Sequence, residues 1–145
     1  MGETFIRYRD GYKYQLVSAY EVQIDAAPAQ NIISDYIDLS TDGVLTMKKG
    51  YAWDGPSGPT IDSRNFMRGS LVHDALYQLI RHEYLTLDWK ELADRELQRL
   101  CKEDGMSALR AWWVYRGVKW FGKPAVMPEA KKPVLTAPRQ DGDGS

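Results

Sequence analysis

The chain of 145 residues has one cysteine, Cys101, and two histidines, His73 and His82. A single thiol cannot close an internal disulfide, so the fold must stand on its core, as in a reducing compartment, and disulfide-stapled secreted scaffolds are excluded. On the inward side of a helix Cys101 reads as a small core residue rather than a nucleophile. His73 and His82 are out of phase on a continuous helix, which excludes a zinc site that uses both. Neither sign of charge dominates: 19 Lys and Arg stand against 20 Asp and Glu, for a formal charge of -1 and a pI near 6.1. No bulk field draws the protein onto phosphate polymers, and nucleic acid is not an expected partner. Long apolar runs are missing as well, since none approaches the roughly 20 residues that cross a bilayer. The segment Met1–Arg9 has no apolar stretch of the signal-peptide kind, and Ile6 stands where a myristoylation signal has Ser or Thr. The expectation is a chain soluble at synthesis, without signal peptide, membrane span or lipid anchor.

With 43% apolar and 27% charged residues the length suits one domain, expected over residues 1–123. Residues 12–17 and 20–25 alternate apolar and polar side chains, the period of half-buried strands. Alternation resumes from Ile33 to Leu39, Ser40–Gly43 reads as a hairpin turn, and Val44–Met47 as its return strand. A Gly/Pro loop follows, with Gly55, Pro56, Gly58 and Pro59 close behind Trp53, and it fits neither helix nor central strand. From about Ser63 the period becomes helical, and Leu71, Val72, Ala75, Leu76, Leu79 and Ile80 form one stripe. Asp88–Glu91 resembles an acidic capping box opening a second helix that carries Leu92, Ala93, Leu97, Leu100 and Cys101 inward and ends at Gly105. A third helix fits Ser107–Phe121. Residues 124–145, with Pro128, Pro133 and Pro138, are expected to form a disordered tail. The predicted class is α+β: a small N-terminal antiparallel sheet, a Gly/Pro loop, then three helices, the first two an antiparallel pair.

Polar residues inside an apolar stripe are the informative ones. His73 and Asp74 point to neighbouring sectors of their helix, and Tyr77 stands one turn beyond His73 on the same face. Asp94 lies on the inward side of the next helix, where an ionised carboxylate needs a partner, and His73 is the obvious one. An imidazole held on one nitrogen can use the other as a general base toward water. The same pair could instead be a buried register-fixing contact with no chemistry. The Gly/Pro loop could bend carbonyl oxygens toward one point, which with the Asp74 carboxylate would suit Ca²⁺; alternatively it is a structural turn in which Trp53 plugs the core. In the third helix Arg116, Lys119 and Lys123 follow one spacing, while Leu109, Trp113, Gly117 and Trp120 line another side. Trp112, Arg116 and Lys119 are the candidate interface residues, suited to a phospholipid surface or a host protein. The alternatives are a core helix with a solvated basic rim and, less compatible with the net charge, a single-stranded nucleic-acid platform.

Two resemblances rest on these residues. Trp53-Asp54-Gly55-Pro56-Ser57-Gly58-Pro59 followed by Ser70-Leu71-Val72-His73-Asp74-Ala75-Leu76-Tyr77 is similar to an uncharacterised domain family of bacteriophages and prophages with W-D-G-x-S-x-P and S-L-x-H-D-x-L-Y signatures. The match spans about residues 51–122 and implies phage origin, hence host cytoplasm or phage particle as location and phage structural or host proteins as partners. More loosely, the chain resembles phospholipase A2, whose families share a Gly-rich calcium loop, an H-D-x-x-Y helix and an aspartate on the following antiparallel helix. That resemblance implies His73 as base, Asp94 as its orienting acid, Tyr77 as a hydrogen-bond partner and Asp74 as a calcium ligand. Carbonyls near Trp53, Gly55 and Ser57 would complete the calcium site. The chain departs from the lipase pattern in lacking disulfides, in placing Pro56 where glycine is favoured, and in the added charge of Asp54.

Overall fold

The computed structural model describes residues 8–9, 14–53 and 63–121. In chain order the strands are β1 (Tyr8–Arg9), β2 (Tyr14–Leu16), β3 (Tyr20–Gln23), β4 (Ile32–Ile33), β5 (Ile37–Leu39), β6 (Val44–Met47) and β7 (Ala52–Trp53). A 3₁₀ turn, Ser63–Asn65, leads into α1 (Met67–Arg81), α2 (Trp89–Glu103) and α3 (Ala108–Phe121). The order is that of an α+β protein with its antiparallel strands first. Asp54, Gly55 and Ser57 of the Gly/Pro loop, and the tail 124–145, lie outside the described residues. No helix among those residues is long and apolar enough to cross a membrane.

The period-2 pattern forms two small sheets where one was expected. β3, β6, β5 and β4 make an antiparallel sheet in that order, and β1, β2 and β7 make a second. The stretches 12–17 and 20–25 therefore do not pair with each other. The Leu16 amide donates to Tyr51 O and its carbonyl accepts from Gly50 N, both at 2.9 Å, so β2 is bound to the segment leading into β7. Residues 33–39 are likewise not one strand. At Ser34 the chain turns: the hydroxyl donates to Ile37 O at 2.5 Å and accepts from Ile37 N at 3.1 Å, separating β4 from β5. The expected turn at Ser40–Gly43 is present. Gly43 has a φ of +81°, and a Cβ there would come within 2.6 Å of Ala26 O, so only glycine fits.

The inward residues of the larger sheet, among them Val22, Ile37, Leu39, Leu45 and Met47, form one core with α1. That helix has the predicted apolar stripe, and its surroundings are more enclosing than one stripe requires. Every α1 residue except Asp74, Gln78 and Arg81 is buried, because the sheet covers one side and α2 another. A second cluster, Leu97, Cys101, Met106 and Ala111, joins α2 to α3. Burial pushes the Cys101 thiol up to about 12, which keeps it an inert core group. Two buried charges brace the layers. Arg68 donates to Tyr20 OH at 3.0 Å and to Asp104 and Glu103 at the end of α2; Glu96 accepts from the Asp25 amide at 3.0 Å and pairs with Arg99.

The helix boundaries show what the local sequence can and cannot do. Asp88 makes no side-chain cap; it is itself helical, with φ -57° and ψ -24°. The preceding turn already satisfies the first amides, since Trp89 N donates to Thr86 O and Lys90 N to Leu87 O, leaving the capping box nothing to bind. Ser107 does cap α3 by accepting from Arg110 N at 3.2 Å. α1 and α2 end in the same backbone motif. Gly105 (φ +105°) donates to Lys102 O and Met106 to Cys101 O; Glu83 (φ +65°) donates to Ile80 O and Tyr84 to Leu79 O.

α1 and α2 pack closely at Gly69, where an added Cβ would meet Cys101 Sγ and Leu97 Cδ1 at 3.0 Å and Leu97 O at 3.2 Å. Gly69→Val should destabilise the protein by about 1–3 kcal/mol through overpacking, as read by denaturant unfolding. Glu83→Gly should raise stability by about 1 kcal/mol, because it relieves a left-handed conformation that costs a side chain energy; an unchanged midpoint would contradict this.

Candidate functional site

The close approach at Gly69 sets the register that brings α2 against the polar residues of α1. His73 and Tyr77 are one turn apart on α1, and their rings lie 3.9 Å apart between centroids. Asp94, on α2, is 0% exposed and faces both. Its Oδ1 accepts from Tyr77 OH at 2.5 Å and lies 2.9 Å from His73 Nε2. Because an ionised carboxylate only accepts, Nε2 carries a proton and Nδ1 is the nitrogen left to exchange one. Nδ1 faces the Asp74 side, with Asp74 Oδ1 at 3.7 Å, beyond hydrogen-bonding distance. Asp74 is partly exposed on α1, whereas the His73 side chain beside it is only 9% exposed. The structure thus brings together His73, Tyr77 and Asp94, with Asp74 beside them on the neighbouring sector of α1.

One member was not anticipated. Lys90 donates to Asp94 Oδ2 at 2.7 Å and also reaches Val118 O and Lys119 O, each at 3.3 Å. Its i,i+4 spacing to Asp94 was the available signal, hidden because the run around Lys90 reads first as a helix start. Asp94 therefore accepts from an imidazole, a phenol and an ammonium. Burial alone would raise its pKa, but hydrogen bonds from His73, Lys90 and Tyr77 hold it below the usual value of 3.8. For His73, burial would favour the neutral ring, yet interactions with Asp74 and Asp94 outweigh it and the pKa rises above 6.5. Burial, and then the Asp94 charge, push the Tyr77 phenol up, so it stays a donor.

The other candidates fall elsewhere. Trp53 is buried at the end of the smaller sheet, where its indole NH donates to Ser70 Oγ at 3.1 Å and its ring stacks 6.4 Å from Tyr51. That contact ties β7 to α1 four residues or less from the site, while the expected ligands Gly55 and Ser57 lie outside the described residues. Among the described residues no group of three or more His, Cys, Asp or Glu could hold a metal. Trp112, Arg116 and Lys119 lie on α3, where the Lys119 carbonyl is tied to the site through Lys90, with Trp112 exposed and the Arg116 guanidinium 5.6 Å from its ring centre. Comparison with known proteins adds no relative: no protein-family model, curated protein or solved structure matches the chain.

The two shifts fix the sign of the pH response. His73, with its folded pKa raised, contributes stability that is full below 6.5 and is lost as pH rises through the folded value. Asp94, with its folded pKa lowered, contributes stability that is present above 3.8 and is lost as pH falls through the folded value. The site should be firmest between those two ordinary values. In an NMR titration the His73 ring should titrate above 6.5; a midpoint below it would mean that burial outweighs the carboxylates.

Proposed function

We propose that the protein is a phage-encoded hydrolase of carboxylic esters, of phospholipase A2 type, with His73 as the base that activates water. The observation that carries this reading is the dyad geometry: Asp94 Oδ1 binds both His73 Nε2 and Tyr77 OH, while Nδ1 is left on the side of the partly exposed Asp74 carboxylate. In the neutral ring Nδ1 would take a proton from water as the oxygen attacks the ester carbonyl. Asp94, already ionised, would stabilise the imidazolium that results. The proton would then pass to the departing alkoxide as the carbon–oxygen bond breaks, giving a carboxylic acid and an alcohol. Tyr77 and Lys90 would act on Asp94, fixing its position and charge. If calcium is the cofactor, Asp74 would hold it, and the cation when bound would polarise the ester carbonyl.

A second reading has its own observation. Lys90 completes the hydrogen bonds of Asp94 and ties it to α3, so the cluster could serve only to lock three helices in a non-catalytic virion, tail, assembly or host-interaction protein.

Fatty-acid release from mixed phospholipid vesicles, with calcium and with chelator, separates the two. The hydrolase reading expects release by the wild type and a loss of about 100-fold or more in His73→Gln. A folded wild type without turnover would sink it. The structural reading instead expects His73→Gln and Asp94→Asn mainly to lower stability, by about 1–3 kcal/mol.

A further inference from the structure

α3 buries one side and leaves the other bare. Ala111 and Tyr115 are buried, and Val114 and Val118 pack on the cluster that joins α3 to α2. Two polar ties hold that orientation: Tyr115 OH donates to Glu91 Oε1 at 2.5 Å, and Lys90 bonds the carbonyls of Val118 and Lys119. The opposite side therefore cannot simply roll inward. It presents Leu109, Trp112 and Trp113 with 67%, 42% and 62% of their surface exposed. Their spacing continues one turn further to Arg116, which makes one contiguous strip along the helix. The two indoles meet edge to face at 5.0 Å, so they form a single protruding block. Three neighbouring large apolar side chains are more than the scattered exposure usual at a protein surface.

The charge on this helix is as one-sided as its exposure. Ala108–Phe121 contains Arg110, Arg116 and Lys119 and no acidic residue, in a chain whose overall formal charge is -1. The positive charge is therefore local to α3. A flat acidic protein would answer the cations but leave Leu109 and the indoles against polar ground. An anionic bilayer answers both at once, with phosphates at headgroup level and an apolar layer just beneath, where tryptophan is at home.

We infer that the Leu109–Trp112–Trp113–Arg116 strip of α3 is the surface by which the protein docks on an anionic lipid bilayer. The inference supplies the hydrolase with the interface on which its ester substrate is presented, and in that role it rests on the hydrolase reading.

The test is co-sedimentation of the full chain with vesicles of phosphatidylglycerol and phosphatidylcholine, and with pure phosphatidylcholine, all in chelator. Binding to the anionic vesicles that weakens with salt is the expected result. The Trp112→Ala/Trp113→Ala variant should bind about tenfold more weakly or worse, through loss of apolar area. Arg116→Gln and Lys119→Gln should each weaken binding about fivefold. Far-ultraviolet circular dichroism should show all variants folded. Equal binding of the tryptophan variant, or no binding by the wild type, would overturn the inference. So would a dimer that the tryptophan variant abolishes, or binding to a single-stranded oligonucleotide but not to vesicles. The two readings fail separately: vesicle binding with no hydrolysis of any ester would remove the enzyme and keep the surface, whereas hydrolysis of a soluble ester without vesicle binding would do the reverse.

Discussion

An ionised carboxylate with no access to water is costly unless every lone pair is answered, and Asp94 places that demand at the centre of the helical layer. The answer comes from two helices: His73 and Tyr77 from α1, and Lys90 from one turn earlier on α2. The two donors from α1 reach it only if α1 and α2 keep one register and one separation. Gly69 supplies the separation, the core of Leu71, Leu76 and Leu100 supplies the adhesion, and Arg68 clamps the far end of α2 to the sheet through Tyr20. Polar placement and apolar packing thus enforce the same geometry, and the apolar contacts by themselves would tolerate a slip that the carboxylate does not.

The sheet's contribution to the site is indirect. The larger sheet packs against α1 in the core that α2 also joins, and of the α1 residues only Asp74, Gln78 and Arg81 are not buried. The smaller sheet ends in Trp53, whose indole holds Ser70 one turn before His73. Asp74 gains its importance from this enclosure. On a helix exposed along a full face its carboxylate would be one charge among several; here it stands 3.7 Å from His73 Nδ1.

Much of this was legible in the residues. The stripe from Leu71 to Ile80 identifies α1, and a polar His73 and Asp94 on inward faces point to each other because nothing else could neutralise them. The turn at Gly43 and the stop at Gly105 are read from a glycine's tolerance of positive φ. Pairing between distant strands was not legible, because the alternation of residues 14–23 states which side faces inward and says nothing of which neighbour binds the backbone. Asp88 misled because a capping side chain matters only where amides are left over, and the turn before α2 leaves none. Lys90 was hidden by its own ordinariness: a lysine in the first turn of a helix is usually solvated, and only the folded position of α3 carries its ammonium inward. The exposure of Trp112 and Trp113 depends on which side of α3 meets α2, and apolar residues on both sides of that helix leave its rotation undetermined.

The reach of Lys90 to the last turn of α3 has a consequence for the protein's fluctuations. The ammonium that neutralises Asp94 also holds the carbonyls of Val118 and Lys119, so α3 cannot detach without loosening the cation that completes the buried pair. Among the described side chains α3 also has fewer buried ones than α1 or α2, which makes it the natural place for the lowest-energy partial opening. Local fraying of α3 would then be felt first as a change of charge balance around His73, before the sheet or the α1–α2 core gives way.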